Sequence, residues 1–373
     1  MIIEDEISLI VLSAGNSTRF GYPVRKQWLR IGNKPLWLFV ADRLNNFCNF
    51  KKTIITANEK DIRLYEKLSD YKIVKGASER QYSLLNALDY VDTEYVMVTD
   101  VARACIPKNV IEKLLSNPAE CTVPFLKPVD TVVYDRTTID REKVKLIQTP
   151  QLSKTEILKK ALQTDKLFTD ERAAVESIGG KIKYIEGSEE SKKITYFKDL
   201  NLPCLTPPSK NILTGNGYDT HQFEKNKKMI LGGVEIDCGY GLKAHSDGDV
   251  VIHSLIDALL GAAGFGDIGE FFPDTDEKYK GVSSVKLLKD VIQTLTYTGY
   301  EIINADISII AEKPKLKNYK TKIQRNLSNL LNALVNVKAT TNEKMGFVGR
   351  GEGIAVFSTA TLKYKDWYED YNS

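Results

Sequence analysis

All three histidines of this 373-residue chain lie in two short stretches, "GYDTHQF" and "KAHSDGDVVIHSLIDALLG". In the first stretch Asp219 and His221 are two residues apart, a spacing that on a β-strand sends both side chains to one face. In the second, His253 lies on a helical pattern with acids four residues before and after it. Asp219, His221 and His253 would supply one oxygen and two nitrogens and leave a fourth tetrahedral position open, as catalytic zinc requires. Any one histidine taken alone is more simply interpreted as a hydrogen-bonded polar side chain than as a metal ligand. That interpretation is weaker when all three histidines are considered together.

A second candidate site follows the first apolar run, in "LSAGNSTRFGYPVRKQWL". A glycine-bearing loop after a parallel strand exposes backbone N–H groups that can bind phosphate. Arg19 and Lys26 lie close by, and two cations there would neutralise charge that develops during phosphoryl or nucleotidyl transfer. A tight turn with solvated basic side chains is the alternative. The spacing fits neither GxGxxG nor a P-loop, which disfavours a dinucleotide dehydrogenase or a P-loop kinase.

A carboxylate ends another apolar run, in "VMVTDVAR", where Arg103 follows Asp100. An acid at the carboxyl edge of a parallel sheet is well placed to hold Mg²⁺ against triphosphate oxygens. Asp is also a common helix N-cap, which is the simpler interpretation of Asp100 taken alone.

Strands and helices alternate in the first half of the chain and position these residues. "ISLIVL", "KTIITA", "YKIVKG" and "EYVMVTD" are predicted strands, while residues 62–68 and 83–88 are predicted helices. This α/β alternation predicts a doubly wound, mostly parallel, Rossmann-like sheet. In the second half, "ILTGNGYDTHQF" is a predicted strand, and a long helix is expected to open near Ser246.

The proline-rich stretch "DLNLPCLTPPSKN" separates the two halves. We therefore predict a first domain over residues 1–203, a linker over 204–211 and a second, α+β domain over 212–373. A chain of this length is expected to form two domains.

Composition narrows the class of protein. The formal charge of +3 is the difference between 52 basic and 49 acidic residues, which argues against a nucleic-acid partner. The beginning of the chain is acidic, unlike a signal peptide, and no apolar run approaches membrane-spanning length. The chain has five cysteines without paired spacing, namely Cys48, Cys105, Cys121, Cys204 and Cys238. We therefore expect reduced thiols in a cytoplasmic protein. We also expect no membrane partner.

Eight blocks in the first half resemble, in order, the 2-C-methyl-D-erythritol 4-phosphate cytidylyltransferases: "LSAGNSTRF", "RKQ", "GASERQYS", "TDVAR", "VDT", "QTPQ", "TDE" and "KKIT". The resemblance implies CTP and methylerythritol phosphate as substrates, with Mg²⁺ and no covalent intermediate. By position, the triphosphate-binding and catalytic groups would be Arg19, Lys26, Lys193 and Asp100, accompanied by Arg103. The cytosine-reading loop would comprise Ala77, Ser78 and Ser83. The methylerythritol phosphate contacts, partly across a dimer interface, would be Thr131, Arg141, Thr149 and Thr169.

Blocks in the second half closely resemble the 2-C-methyl-D-erythritol 2,4-cyclodiphosphate synthases: "GYDTHQF", "LKAHSDGDVVIHSLIDALLGAAGFGDIGEFFPDTD", "AEKPKL" and "VKATTNEKMGFVGRGEGIA". The resemblance implies zinc on Asp219, His221 and His253, and a second ion, Mg²⁺, on Glu343, with CDP-methylerythritol 2-phosphate as substrate. The implied phosphate contacts are His245 and Ser246. We predict that His245 and Thr341 are catalytic. The implied methylerythritol pocket comprises Asp257, Asp267 and Gly269. The implied cytidine pocket comprises Ala311, Lys315, Leu316 and Thr341. Phe347 and Arg350 of the "GFVGRGEG" turn complete the predicted substrate contacts.

These resemblances predict a bifunctional enzyme of non-mevalonate isoprenoid synthesis. One alternative is a metal-dependent nucleotidase or phosphodiesterase fused to a nucleotide-binding module, and another makes the first half a CTP sensor. The glycine-rich "GFGDIGEFFPDTD", with Asp274 and Asp276, is either a mobile lid or a plain surface loop.

The resemblances also imply an assembly and a missing step. Cyclase trimers and transferase dimers in one chain predict a homo-oligomer, most simply a hexamer. Because the transferase product has a free 2-hydroxyl and the cyclase needs a 2-phosphate there, a separate kinase must act between the two reactions.

Overall fold

The protein is described by a computed structural model that covers residues 6–244, 246–273, 275, 277–279 and 281–373. Its backbone divides into two compact units. The first unit contains the chain up to Pro208 together with Asp366–Ser373, and the second contains Ser209–Lys365.

The first unit is built around an eight-stranded sheet. Its strands, including two short hairpins, are β1 (Ile7–Leu12), β2 (Arg30–Ile31), β3 (Lys34–Pro35), β4 (Lys52–Ala57), β5 (Lys72–Lys75), β6 (Tyr95–Asp100), β7 (Cys121–Leu126), β8 (Val132–Tyr134), β9 (Thr137–Ile139), β10 (Leu146–Ile147), β11 (Gln151–Lys154) and β12 (Ile182–Glu186). Its helices are α1 (Leu36–Asn45), α2 (Ile62–Glu66), α3 (Arg80–Leu88), α4 (Lys108–Ser116), α5 (Thr155–Leu162) and α6 (Glu171–Ser177).

The predicted parallel core of this sheet is confirmed. The sheet order is β10–β7–β11–β6–β1–β4–β5, with β12 beside β7, and strands β6, β1, β4 and β5 are mutually parallel. Strand β1 is buried along its whole length, which explains its continuous apolar sequence. The antiparallel strands β10 and β11 were not predicted, because neither carries a strong period-two pattern. Leu12 pairs with Asp100, so the loop after β1 begins beside the acid that ends β6.

The second unit is a five-stranded sheet with helices, as the α+β prediction required. Its strands are β13 (Leu213–Lys225), β14 (Met229–Leu231), β15 (Val234–Ile236), β16 (Tyr240–Leu242), β17 (Tyr300–Ile310), β18 (Leu334–Thr340) and β19 (Gly353–Tyr364). Its helices are α7 (Val250–Ala263), α8 (Ile268–Phe271), α9 (Ser284–Tyr297), α10 (Lys320–Leu331) and α11 (Gly346–Gly349). The sheet order is β16–β13–β19–β17–β18, and β14 pairs with β15 in a separate hairpin.

Helix α7 lies directly on strand β13. A Cβ atom added to Gly217 would come 1.8 Å from the carbonyl oxygen of Ser254, so only glycine permits this approach. The helix begins at Val250 rather than near Ser246, because the buried carboxylate of Asp249 caps it by accepting a hydrogen bond from Ile252 N. The close packing brings the second histidine stretch onto the strand that carries the first.

The unit boundaries differ from the predicted domains at both ends of the second domain. The segment from Cys204 to Pro208 packs with the first unit, where Gly32 N donates a hydrogen bond to Pro207 O at 3.1 Å. The last eight residues, which contain helix α12 (Trp367–Asn372), also belong to the first unit rather than to the second.

The expectation of five reduced thiols is wrong for two of them. Cys105 and Cys204 form a disulfide across 99 residues of sequence, because the turn after β6 and the segment after Leu200 fold onto each other. No local spacing could have indicated this pair. Cys48, Cys121 and Cys238 are not in a disulfide; the first two are buried and Cys238 is half-buried. Across the described part of the chain, no helix combines the length and apolarity needed to cross a bilayer.

Candidate functional site

A polar cavity of about 670 Å³ opens at the carboxyl ends of β1 and β6 in the first unit. Its wall combines the loop after β1, the turn before α3 and the segment that contains Lys193. Seven residues predicted for CTP binding line it, namely Arg19, Lys26, Ala77, Ser78, Ser83, Asp100 and Lys193. A cavity of this size, lined by five cationic side chains that include Arg19, Lys26 and Lys193, fits a nucleoside triphosphate.

Asp100 lies at the centre of a buried charge cluster. Its Oδ2 accepts a hydrogen bond from Lys193 Nζ at 2.6 Å, and its Oδ1 accepts one from Arg80 Nε at 3.0 Å. Arg80 also donates to the fully buried carboxylate of Glu171 at 2.6 Å. Burial of Asp100 would raise its pKa, but Arg80 and Lys193 hold that pKa well below its usual range. Asp100 is therefore expected to be ionised at neutral pH. It is not a helix N-cap, since α4 begins eight residues later.

Lys26 is held in the cavity by its own hydrogen bond. Its Nζ donates to Ile194 O at 2.8 Å, which ties the loop after β1 to the segment that carries Lys193. Burial, together with the nearby Lys193 charge, lowers the pKa of Lys26 to about 8. The buried Gln27 supports the same loop, since its Nε2 donates to Gly15 O at 2.8 Å and its Oε1 accepts from Ser17 Oγ.

The other residues predicted for the transferase lie elsewhere in the first unit. Arg103 donates to Ser191 O at 2.6 Å and to Ile147 O, so it braces two loops. Thr149 is buried, and its hydroxyl lies 3.2 Å from that of Thr99. The remaining three predicted methylerythritol phosphate contacts are exposed and are not among the described residues that line the cavity; they are Thr131, Arg141 and Thr169.

Asp219, His221 and His253 come together in the second unit, as their spacing predicted. Oδ2 of Asp219 lies 3.2 Å from Nδ1 of His221 and 3.3 Å from Nδ1 of His253, and one ligand atom from each residue lies within 4.8 Å of the others. Within the described ranges, these three form the group of acidic, histidine and cysteine side chains that could hold a metal ion.

The donor atoms fit a metal ion. Neither Oδ2 of Asp219 nor Nδ1 of His221 makes a hydrogen bond to a described residue, although both are buried, so their lone pairs remain for an ion. Burial of Asp219 raises its pKa, but the two facing histidines outweigh this and bring the pKa to about 2. Asp219 would therefore be ionised, as a metal ligand must be.

The opposite edge of His253 is fixed by hydroxyl groups. Its Nε2 lies 2.9 Å from Ser284 Oγ and 3.3 Å from Ser246 Oγ. Ser284 Oγ in turn donates to Asp247, which also accepts the Ser284 backbone N–H at 3.0 Å. Bonding of Nε2 leaves Nδ1 to face the metal site, an arrangement typical of metal-binding histidines.

The predicted substrate pockets of the second unit are partly assembled. Asp257 accepts a hydrogen bond from Ile268 N at 2.8 Å, and Asp267 caps α8, which contains Gly269. Ile310 and Thr340 are paired at the carboxyl ends of β17 and β18. The segment after β17, which contains Ala311, Lys315 and Leu316, therefore starts beside the segment after β18, which begins at Thr341.

Glu343 lies outside the group formed by Asp219 and the two histidines, and its Oε1 accepts a hydrogen bond from Thr341 Oγ1 at 2.7 Å. Phe347 lies in α11, and Arg350 donates to Glu352 at 2.6 Å. His245, Asp274 and Asp276 lie outside the described residues.

The residues that hold the predicted groups in place could not be predicted from local sequence patterns. Arg80, Glu171 and Gln27 lay within the quoted blocks "GASERQYS", "TDE" and "RKQ", but nothing local showed that two of them pair across 91 residues. Ser284 is 31 residues from His253, and no short motif joins them.

The fold and the sites are those of a two-unit enzyme, in which an α/β unit with a nucleotide-sized polar cavity is joined to a unit whose histidine–aspartate group could hold a metal ion. The family model for "2-C-methyl-D-erythritol 4-phosphate cytidylyltransferase" matches residues 7–204, and the "YgbB family" model matches residues 212–363.

Known relatives match nearly the whole chain. The bifunctional enzyme IspD/IspF of Aliarcobacter butzleri is 55% identical over 369 residues, which cover 97% of this chain and 99% of that protein. That of Nitratiruptor sp. is 52% identical over 98% of this chain and 99% of that protein. The structure of bifunctional IspDF from Campylobacter jejuni gives a TM-score of 0.85 at 49% identity, covering 97% of this chain and 100% of that chain.

The chain belongs to the bifunctional IspD/IspF family of the non-mevalonate isoprenoid pathway. Its first unit transfers CMP from CTP to 2-C-methyl-D-erythritol 4-phosphate, giving CDP-methylerythritol and pyrophosphate. Its second unit converts CDP-methylerythritol 2-phosphate to 2-C-methyl-D-erythritol 2,4-cyclodiphosphate and CMP. The hydrolase and sensor alternatives are therefore set aside.

Proposed function

We propose that the polar cavity of the first unit is the CTP site and that Arg19, Lys26 and Lys193 bind the triphosphate. The observation that supports this is the convergence of the three cations on one cavity beside an ionised Asp100. In-line attack by the phosphate of the substrate needs positioning and charge neutralisation, which this arrangement supplies. The loop of Ala77, Ser78 and Ser83 would read the base.

We further propose Mg²⁺ for both reactions. In the first unit each Asp100 oxygen accepts one hydrogen bond, which leaves lone pairs for a cation. In the second unit Glu343 is the proposed Mg²⁺ ligand, with Thr341 bonded to it. We also propose that methylerythritol phosphate is bound by Thr131, Arg141, Thr149 and Thr169. Three of these residues lie on the exposed surface, where a second subunit could cover them and complete the site.

In the second unit we propose zinc on Asp219, His221 and His253. One oxygen and two nitrogens suit zinc, which when bound would act as a Lewis acid on a substrate phosphate. Replacing His253 with Ala should remove zinc and cyclase activity and leave CTP turnover unchanged. Metal analysis that still finds one zinc per chain in this variant would overturn the assignment, and Asp237→Asn, an exposed acid of the same unit, is the control.

The assembly that we propose is a hexamer with threefold and twofold axes. In the second unit Tyr218 and Phe357 are half exposed on neighbouring strands, with ring centroids 4.5 Å apart, so one sheet face presents aromatic surface. In the first unit the β8–β9 hairpin exposes Val133 and Tyr134. Two separate apolar surfaces suit two kinds of subunit contact. Since both reactions use phosphorylated metabolites that cells retain internally, we propose a cytoplasmic location.

A further inference from the structure

The segment 366–373, which follows the second unit in sequence, is anchored in the first unit. Trp367 is 2% exposed, and its Nε1 donates a hydrogen bond to Arg30 O at 2.6 Å. Asp366 caps α12 by accepting hydrogen bonds from the backbone N–H groups of Tyr368 and Glu369. Burial of a whole indole with its N–H bonded makes this a specific attachment and not a loose tail.

Helix α12 contacts an aromatic cluster. Tyr22 and Phe197 are stacked with ring centroids 4.5 Å apart, and Phe20 packs edge-on to Phe197 at 5.9 Å. Tyr371 of α12 lies 6.0 Å from Phe197, and the Tyr22 hydroxyl donates to the carboxylate of Asp370. One face of the helix therefore touches two segments that are distant in sequence, the loop after β1 and the turn at Phe197.

These two segments carry the cations of the nucleotide cavity. Arg19 is adjacent to Phe20 in the loop, and Lys193 lies four residues before Phe197. The Nζ of Lys26 already joins the segments through Ile194 O. The stacking of Tyr22 on Phe197 and the contacts of α12 with both rings add further links between the same two segments.

We propose that segment 366–373 is a positioning element of the cytidylyltransferase site, which holds the Arg19 loop against the Lys193 segment. The inference rests on the proposed binding of CTP by Arg19 and Lys193. The segment contacts Tyr22 and Phe197, and both of these rings pack against the cavity-lining Phe20, so its effect is on the placement of the cations. The consequence is that residues after the cyclase unit tune the affinity for CTP.

The test uses the full chain and measures both activities in each preparation. The variants are a chain that stops after Lys365, Tyr371→Ala, and the conservative Tyr371→Phe, which keeps the ring on Phe197. Asn372→Ala is the matched control, because the Asn372 amide donates within the helix to Tyr368 O. Steady-state kinetics give kcat and KM separately for CTP and for methylerythritol phosphate, and the cyclase rate serves as the internal standard.

We expect the shortened chain to lose about tenfold in kcat/KM for CTP, since small displacements of positioned groups are costly. Tyr371→Ala should cause a smaller loss of kcat/KM for CTP, and Tyr371→Phe should have the same kcat/KM for CTP as the parent chain. In all variants KM for methylerythritol phosphate should stay within about twofold of the parent value. Unchanged CTP kinetics in both the shortened chain and Tyr371→Ala would overturn the inference, as would an equal loss for both substrates. Arg19→Ala tests the proposed CTP site separately from the role of segment 366–373. If Arg19→Ala leaves the CTP kinetics unchanged, it is the proposed CTP site that is wrong.

Discussion

The Nζ atom of Lys193 lies 2.6 Å from Oδ2 of Asp100, although the two residues are 93 positions apart in sequence. This ion pair joins the end of β6 to the segment after β12, and it places a cation in the wall of the polar cavity. Arg80, on the other side of Asp100, is oriented by the buried Glu171. The acid is thus fixed before any substrate binds.

Replacing Lys193 with Ala should lower the rate of pyrophosphate release by about a hundredfold or more, because a positioned cation near developing phosphate charge is lost. Cyclase activity should be unchanged, since Lys193 belongs to the other unit. A pyrophosphate-coupled assay and a CMP-release assay on the same preparation measure the two effects. Lys192→Ala is the matched control, because Lys192 pairs with Asp199 instead. Loss of cyclase activity would show that the units do not act independently.

The charge of Lys26 predicts a pH dependence. Burial and the nearby Lys193 lower the pKa of Lys26 to about 8, so in the nucleotide-free enzyme it is cationic below that pH and neutral above it. We expect kcat/KM for CTP to fall as pH rises through about 8, and Lys26→Arg to remove this fall because arginine stays charged. A pH profile of Lys26→Arg that still falls at the same pH would assign the titration to another group.

Ser284 should control the affinity for zinc. Its hydroxyl lies 2.9 Å from Nε2 of His253 and is held by Asp247. Ser284→Ala removes that contact and should weaken zinc binding by about tenfold to a hundredfold. Competition with a chromogenic chelator measures the affinity directly, without reference to catalysis. Ser283→Ala is the control, since Ser283 is exposed and makes no side-chain cap to α9; an equal loss there would point to a general effect on the helix.

The cysteines should react in a defined order. Protein purified without reductant should show three thiols on denaturation, at Cys48, Cys121 and Cys238, and five after reduction. In the native state Cys238 should be alkylated first, because burial raises the pKa of Cys121 to about 12. Peptide mass spectrometry after alkylation reads out each site. Five reactive thiols without reductant would contradict the Cys105–Cys204 pairing.

The two reactions should not run in sequence without help. Given methylerythritol phosphate, CTP, ATP, Mg²⁺ and Zn²⁺, the purified chain should accumulate CDP-methylerythritol and stop, because nothing adds the 2-phosphate. Adding a separate CDP-methylerythritol kinase should then yield CMP and the cyclodiphosphate, which phosphorus NMR distinguishes. A cyclic product formed without the kinase would reveal a phosphotransferase activity in the chain itself.

The sequence predicted those parts of the molecule that depend on local pattern. The buried parallel strands and the grouping of Asp219 with His221 follow from periodicities of one or two residues, and the structure has both. His253 lies beside these two residues because glycines in β13 allow α7 to lie on the strand. The parts that were missed depend on contacts between distant residues: the Arg80–Glu171 pair, the Cys105–Cys204 disulfide and the docking of Trp367 have no local pattern.

The docking of Trp367 also determines how the two units are connected along the chain. The chain leaves the first unit after Pro208 and returns to it at Asp366, so residues of the first unit lie on both sides of the second unit in the sequence. Both crossing points are fastened to neighbouring backbone, through Gly32 and Arg30. A single protease cut at either crossing would therefore leave a noncovalent complex that one round of denaturation separates. Splitting the enzyme into two independent proteins requires moving residues 366–373 to the first gene product as well.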